Sequence, residues 1–279
     1  MAGGVRNLDE ATVVGFGQEW AEYDQVALKS DDLRSIFDSY FAIFPFDELR
    51  KDSEGFDLGC GSGRWADLVL ARIGRLNCID PSQLALNVAR RRLGGRKNAI
   101  FHQASVDDIP LANGSQDFGY SLGVLHHVPD TEAAIAACVQ KLKRGAPFLV
   151  YLYHSFDNRP FWYRPLWTAT DVARKGISRM PFPIRKSVTS LIATLVYWPL
   201  ARIAKLAERL GRNIVNYPLC IYRDRDIYVM RTDALDRFGT RLEHRFSRAE
   251  IEQMMSRAGL NDIRFSESPP FWVACGRRS

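Results

Sequence analysis

Short apolar runs alternate with amphipathic segments through the first half of the chain. The apolar runs predict five strands, at 55–59, 75–80, 99–103, 117–122 and 147–153. The amphipathic segments between them predict helices at 64–73, 82–93 and 131–143. Because the strands do not alternate strictly between apolar and polar residues, both faces of their sheet are expected to be covered. The pattern therefore predicts an α/β fold with a doubly wound, mostly parallel sheet.

Two further segments flank this alternating region. Near the N-terminus, Phe16, Trp20 and Tyr23 fall on one face of a predicted helix over 12–24. A second helix is predicted over 31–51, with Pro45 interrupting or ending it. At the other end, a capping-box pattern at 247–250 predicts a helix that closes at Gly259, and two last strands follow at 261–266 and 270–276.

The alternation breaks over residues 155–246, a stretch rich in aromatic residues, proline and arginine. A helical stretch over 187–210 contains the uncharged run 191–201. That run is shorter than the about 20 residues that cross a bilayer, so no membrane crossing is expected. Two interpretations remain open, a buried helix in a cap over a substrate, and a helix at the membrane interface with Tyr197 and Trp198 at headgroup depth.

The net positive charge of the chain comes from one part of this stretch. Residues 155–215 hold eleven Lys and Arg and three acidic residues, a net charge of +8, whereas the rest holds 27 basic and 29 acidic residues, a net charge of −2. A solvated helical surface would explain the excess, and so would contact with an anionic substrate, a membrane surface or nucleic acid. No zinc-ribbon or aromatic nucleic-acid motif is present, so nucleic acid is not favoured.

A glycine-dense turn follows the first strand and opens the next helix. Glycines at 59, 61 and 63 leave the inner wall of this turn without side chains, and the helix offers free N–H groups to a ligand. Asp80 follows Gly59 by 21 residues, at the place of an acid that binds ribose hydroxyls. Arg64 stands where the third glycine of a dinucleotide fingerprint would be, which weighs against an NAD-type oxidoreductase.

Five blocks in a fixed order resemble the class I S-adenosylmethionine-dependent methyltransferases. They are the glycine turn with Asp57, Asp80, the stretch 104–111, the strand and Leu-His-His-Val-Pro phrase at 117–130, and 142–147. The resemblance covers roughly residues 54–153 and 247–279, and the motifs of these segments are similar to those of a bacterial type 11-like subgroup. It implies a seven-stranded Rossmann-like sheet with an antiparallel hairpin at its edge and an N-terminal helical lid. The domains are then 1–53 (lid), 54–154 with 247–279 (core) and 155–246 (an inserted acceptor cap).

The same resemblance implies the roles of individual residues. The implied cofactor-binding residues are Asp57, Gly59, Cys60, Gly61, Gly63, Asp80, Pro81, Ser105, Val106, Leu122 and Gly123. His126 and His127 are candidates for a general base, with a structural role at a helix start as the alternative. Candidate substrate contacts are Trp20, Tyr23, Tyr153, His154 and Tyr222. Five histidines without ligand spacing, and no carboxylate cluster, argue against a metal.

The expected activity is methyl transfer from S-adenosylmethionine, giving S-adenosylhomocysteine, to oxygen or nitrogen of a small-molecule or lipid-like acceptor, with an anionic acceptor as one option. Five scattered cysteines and a start without an apolar signal core indicate a cytoplasmic protein, with peripheral membrane contact through 185–212 as an option. The alternatives are a membrane-docked S-adenosylmethionine-binding protein without catalysis and an NAD-type oxidoreductase. The sequence leaves the acceptor, the methylated atom and the oligomeric state open.

Overall fold

The structure, a computed structural model, describes residues 6–23, 30–157 and 159–279. These residues form two compact units. The first comprises Leu33–Ser155 and Leu242–Ser279 together with the described residues up to 23, and the second is built on Phe156–Arg241. The N-terminal helix α1 thus belongs to the first unit, and so do residues 242–246, which the sequence placed in the insertion.

The first unit is built on a seven-stranded sheet. Its strands are β1 (Glu54–Leu58), β2 (Arg75–Asp80), β3 (Ala99–Gln103), β4 (Phe118–Leu122), β5 (Pro147–Tyr151), β6 (Leu260–Phe265) and β7 (Val273–Arg278). Their order in the sheet is β3-β2-β1-β4-β5-β7-β6. The first five strands are parallel, and β7 runs antiparallel to both β5 and β6. The predicted fold class, including the antiparallel edge hairpin, is confirmed.

The helices fall into the predicted order along the chain. Those described are α1 (Glu10–Glu22), α2 (Ser30–Tyr40), α3 (Arg64–Leu70), α4 (Gln83–Leu93), α5 (Thr131–Lys141), α6 (Tyr163–Ile177), α7 (Phe182–Ile192), α8 (Trp198–Arg209), α9 (Ile227–Gly239) and α10 (Arg248–Arg257). The predicted capping box is present, since Ser247 and Glu250 bond reciprocally at the start of α10. The second helix was predicted too long: it ends at Tyr40, and only a short 3-10 turn follows Pro45.

The apolar strands pack on both faces, as their lack of alternation predicts. Alternate residues of β5 divide between two cores: Phe148 and Val150 pack with residues of α5 and α10, and Leu149 packs with residues of α2, α3 and α4. All three are fully buried. With helices on both sides, only the ends of the strands remain open to a ligand, and the carboxyl ends are where the glycine turn lies.

The second unit has its own small core around α9. Ala193, Tyr197 and Ala201 on the long helix pack with Met230 and Ala234 of α9, among others. Its buried cations have partners inside the unit. Arg174 pairs with Asp171 (2.7 Å) and donates to the carbonyl oxygens of Thr240 and Arg241, which follow the end of α9. The unit therefore satisfies its buried charges internally.

One continuous helix, Phe182–Arg209, runs through α7, a π-helical segment at Ala193–Tyr197, and α8. The π segment lies directly before Pro199, whose ring would clash with the carbonyl of residue 195 in a regular α-helix. The helix is longer than the uncharged run that the sequence singled out. By length and composition it could cross a membrane, and it is the one such helix in the described ranges.

Candidate active site

A cleft of about 940 Å³ opens in the first unit at the carboxyl ends of the strands. Many predicted site residues line it: Trp20, Gly59, Cys60, Gly61, Asp80, Pro81, Ser105, Val106, Leu122, Gly123 and His127. The others, Asp57, Gly63, His126, Tyr23, Tyr153 and His154, are not among its lining residues. Tyr222 lies in the second unit and belongs to that unit's core, where its ring is 5.4 Å from that of Tyr197.

The glycine turn forms the floor of the cleft because its backbone takes conformations that suit glycine. Gly59, Gly61 and Gly63 have φ of 78°, 54° and 72°. A Cβ on Gly61 would lie 3.0 Å from the indole of Trp20, and one on Gly59 would lie 2.4 Å from Val124. Both space and backbone angle therefore require glycine, as predicted.

Asp80, at the end of β2, ties the turn to the next helix. Its Oδ2 accepts a hydrogen bond from Gly61 N–H (2.9 Å) and its Oδ1 accepts one from Ser82 N–H (2.8 Å). Burial raises the pKa of Asp80 to about 6, and these two donors limit the rise. At neutral pH the side chain is a carboxylate at the edge of the cleft, with acceptor capacity left for hydroxyl groups.

Asp57 lies on β1 beside the turn and is almost completely buried. Its Oδ2 has no hydrogen-bond partner among the described residues. Burial raises its pKa to about 8, nearby Tyr120 and Arg64 lower it, and Asp80 adds to the rise. Such a group keeps its proton at neutral pH until a cation comes close, so its position fits a ligand that carries an ammonium group.

Helix α1 closes one side of the cleft. Thr12, Phe16 and Trp20 are four residues apart along it, so they share a face, and all three line the cleft. The helix is held at its start by Asn7, whose N–H donates to Asp107 Oδ2 (2.6 Å) and whose amide exchanges hydrogen bonds with the backbone of Asp130. The predicted face of α1 is therefore turned toward the cleft, although Tyr23 is buried at the end of the helix instead.

Among the lining residues that were not predicted as site residues, Thr12, Ser62 and Arg64 carry polar groups that could contact a ligand. The hydroxyls of Thr12 and Ser62 are buried without hydrogen-bond partners in the described part of the chain. Arg64 stacks on Trp65, with its guanidinium carbon 4.3 Å from the ring centroid, and lies 5.4 Å from Trp20. Thr12 could have been found from its spacing of four to Phe16, and Ser62 from its place between two glycines of the turn.

The two adjacent histidines have different surroundings. His127 lines the cleft, with its ring 4.9 Å from that of Phe16. Its Nδ1 lies 2.7 Å from the carbonyl oxygen of Leu242. Because a carbonyl oxygen only accepts, Nδ1 carries the proton and Nε2 of the neutral ring carries the lone pair. His127 is thus prepared to accept a proton at Nε2.

His126 lies behind His127, fully buried between it and Tyr153, with ring centroids at 4.0 and 3.9 Å. Neither of its ring nitrogens has a hydrogen-bond partner in the described ranges. Burial lowers its pKa well below the usual value, and the nearby His127, Arg245 and His244 lower it further. His126 is neutral at physiological pH and away from the lining of the cleft.

Tyr153 and His154 pair with the segment at 242–246 behind the histidines. Phe246 N–H donates to Tyr153 O (2.9 Å), and the guanidinium of Arg245 lies 5.1 Å from the Tyr153 ring. Arg245 also pairs with Glu243 at 2.8 Å. These contacts support His126 and the carbonyl that bonds His127.

Among the described residues no group of three His, Cys, Asp or Glu could hold a metal ion.

Comparison with known proteins agrees with this geometry. Residues 56–150 match a family described as "Methyltransferase domain". They span β1 to β5 and so include the turn, Asp80 and both histidines. These residues form a class I methyltransferase domain. Its methyl donor is S-adenosylmethionine, whose ammonium and ribose hydroxyls suit the buried Oδ2 of Asp57 and the carboxylate of Asp80.

Several curated relatives carry names that specify the reaction. A ubiquinone biosynthesis O-methyltransferase of Aromatoleum aromaticum is 33% identical over 108 residues, covering 38% of this chain and 44% of that protein. Another protein of that name, from Acinetobacter baylyi, is 30% identical over 153 residues, covering 51% and 63%. The chain thus spans about half the length of the curated relatives it matches.

Solved structures show the same fold. A SAM-dependent methyltransferase of Methanosarcina mazei has a TM-score of 0.51 at 16% identity, covering 85% of this chain and 98% of that one. A chain of the complex between the Trm112 methyltransferase activator and a methyltransferase of Haloferax volcanii has a TM-score of 0.52 at 14% identity, covering 95% and 96%. At these identities the likeness concerns the fold alone.

Proposed function

We propose that this protein methylates an oxygen atom of a small-molecule or lipid-like acceptor, with His127 as the general base. The observation that carries the proposal is the pairing of two features at one cleft. Beside it lies the buried carboxyl group of Asp57, whose Oδ2 has no hydrogen-bond partner among the described residues, and in its lining lies a histidine, His127, whose Nδ1 is 2.7 Å from a carbonyl oxygen. The first suits the methyl donor, and the second suits an acceptor that must lose a proton. The names of the curated relatives support oxygen over nitrogen.

The proposed cofactor contacts follow from the geometry of the cleft. Asp57, buried on β1 beside the turn, meets the ammonium group of the donor, Asp80 accepts from its ribose hydroxyls, and the turn at 59–63 lies along its methionine part. Ser105 and Val106, after β3, border the base, and Leu122 and Gly123 lie near the sulfur. Bound here, S-adenosylmethionine supplies a methyl group on a positively charged sulfur.

His127 and α1 prepare the acceptor. When Nε2 of His127 takes the hydroxyl proton, the acceptor oxygen keeps both electrons of the broken O–H bond and becomes the nucleophile. Phe16 and Trp20 on α1 limit water in the cleft and hold the acceptor in place, which supplies much of the acceleration in such displacements. The segment at 242–246 keeps the His127 ring oriented through Leu242.

The proposed function also concerns how the acceptor is recognised and what the second unit does. We propose that Phe156–Arg241 contributes to acceptor binding, with Tyr222 as one of the contacts, and that the protein acts in the cytoplasm. An anionic acceptor would suit the positive charge of that stretch. An amine acceptor remains the alternative, as does a protein that binds the donor without catalysis.

The test uses a labelled methyl donor, a bacterial extract, and the variants His127→Gln and His126→Gln. We expect His127→Gln to lower turnover by about 10²–10⁴-fold, since it removes a general base, and to leave S-adenosylhomocysteine affinity unchanged. His126→Gln is the matched neighbour and is expected to have a smaller effect on turnover.

The proposal would be overturned if the labelled methyl group were found on a nitrogen atom in an acid-stable product, or if His127→Gln kept full turnover. No label transfer to any fraction, together with normal S-adenosylhomocysteine binding, would favour the non-catalytic alternative. Binding of NAD but not of S-adenosylhomocysteine would favour the oxidoreductase.

A further inference from the structure

The long helix of the second unit leaves most of its apolar surface uncovered. Only 28% of the most apolar window within Phe182–Arg209 is buried. Leu195 and Leu206 are 69% and 58% exposed. Apolar surface of this extent on an otherwise ordinary protein marks a contact with another molecule or with a membrane.

Six of the exposed apolar residues lie on one side of the helix. They are Ile184, Leu191, Leu195, Ile203, Leu206 and Leu210, the last of which directly follows the helix. Spacings of seven and four within the first three, and of three and four within the last three, keep each set on one face. The π segment between the sets takes up one extra residue, which brings both sets onto the same face.

The opposite side of the helix is already occupied. Ala193, Tyr197 and Ala201 face α9, and the guanidinium of Arg185 is buried near the carbonyl oxygens of Ser178 and Gly239. Tyr197 and Arg185 are therefore turned into the protein, so the open interpretation that places Tyr197 at headgroup depth does not hold for this residue. Trp198 is half-exposed and stacks with Arg202, with 5.7 Å between the guanidinium carbon and the ring.

The charge at the C-terminal end of this face is positive. Arg209 and Arg212 are exposed there, whereas Lys205 pairs with Asp224 at 2.9 Å. Residues 155–215 contain only three acidic residues. Of these, Asp171 is buried against Arg174, and Glu208 pairs with Arg223 at 2.8 Å. The surface is therefore complementary to an anionic partner that also accepts apolar side chains.

We infer that this face docks onto an anionic lipid bilayer, with the helix lying in the plane of the interface. A bilayer offers both of the required properties, negative headgroups and an apolar interior. The uncharged run between Lys186 and Arg202 has 15 residues, fewer than the about 20 that a span needs, and one side of the helix is packed on α9. A lipid-like acceptor could then be taken from the membrane, but the docking surface does not depend on the proposed methyl transfer.

The test measures binding of the full-length protein to vesicles of phosphatidylcholine alone or mixed with phosphatidylglycerol. We expect binding to the mixed vesicles only, and release at high salt, which screens the charges. Leu195→Gln/Leu206→Gln should weaken binding by about tenfold or more, because two exposed leucines no longer enter the interface. Arg209→Gln/Arg212→Gln should weaken binding and reduce its salt dependence.

The control is Leu84→Gln/Ile100→Gln, which removes two exposed apolar residues of the first unit and should leave vesicle binding unchanged. Unchanged S-adenosylhomocysteine affinity in every variant verifies folding independently of methyl transfer.

Three results would overturn the inference: no vesicle binding, equal binding by Leu195→Gln/Leu206→Gln, or attachment that only detergent reverses, which would indicate a spanning helix. Loss of self-association in that variant without vesicle binding would instead show that a second copy covers the face.

Discussion

The two units leave opposite kinds of groups without partners. In the first, polar atoms are buried without hydrogen-bond partners in the described residues: Asp57 Oδ2, Ser62 Oγ and Thr12 Oγ1, all in or beside the cleft. In the second, the buried pair of Arg174 and Asp171 is well bonded, whereas apolar side chains such as Leu195 are exposed. Around the cleft, the first unit leaves buried polar atoms without partners; along the long helix, the second unit leaves apolar side chains without cover.

This difference indicates what each unit binds. A buried polar group without a partner costs about 1–3 kcal/mol, so its retention beside a cleft points to a polar, charged ligand that supplies the missing bonds. Exposed leucines carry a smaller cost each and point to an apolar surface outside the protein. We therefore assign Asp57 and Asp80 of the first unit to ligand binding, and the buried pair of Asp171 and Arg174 of the second unit to stability.

The largest expected effect is on the stability of the second unit. Asp171→Ala leaves Arg174 buried without its carboxylate, which should cost about 3–5 kcal/mol of unfolding free energy and leave S-adenosylhomocysteine affinity unchanged. Denaturant unfolding followed by circular dichroism, with calorimetry of binding, measures both quantities.

The matched control is Asp224→Ala, which breaks the exposed pair with Lys205 and should cost less than about 1 kcal/mol. If both variants lost the same stability, the buried pair would have no special structural role. A large loss of ligand affinity in Asp171→Ala would contradict the division between the units.

A smaller effect, on binding alone, is expected in the first unit. Asp80→Ala removes the carboxylate that accepts from Gly61 and Ser82 and, in the proposal, from the ribose hydroxyls. Loss of two charge-assisted hydrogen bonds to the ribose should weaken S-adenosylhomocysteine binding by about a hundredfold. Calorimetry measures the change. Asp67→Ala, which breaks an exposed pair with Arg96, is the control, and equal affinities for the two variants would disprove the role of Asp80.

The sheet and the turn could be predicted because their signals are local. Apolar runs specify the strands, and the glycines with Asp57 and Asp80 lie within 24 residues of one another. The roles of the two histidines could not be separated this way. The orientation of His127 depends on Leu242, 115 residues away, and that segment was assigned to the insertion.

The second unit was less predictable for a related reason. Aromatic and basic residues on a helix suggest an amphipathic surface, but which of them are buried depends on the partner helix. Tyr197 and Arg185 turn toward the core around α9, and the π segment before Pro199 sets which leucines share the exposed face. Neither the proline nor the uncharged run shows, by itself, which side chains of the long helix are buried and which are exposed.

The pH dependence of ligand binding tests most directly whether the Asp57 carboxyl binds the ammonium group of the ligand. Its raised pKa has a defined sign: without ligand the carboxyl holds its proton up to about pH 8, so the protein loses stability relative to Asp57→Asn as pH rises from 3.8 to about 8. The slope is at most about 1.4 kcal/mol per pH unit. An ammonium group beside it releases that proton.

We therefore would measure S-adenosylhomocysteine affinity by calorimetry between pH 6 and 8, the window between the pKa values of Asp80 and Asp57, in the wild type and in Asp57→Asn. The wild-type affinity should rise with pH, by up to about tenfold per unit, with proton release, and Asp57→Asn should bind weakly without this dependence. A flat wild-type profile with unchanged affinity in Asp57→Asn would contradict the assignment of the buried carboxyl to the ligand.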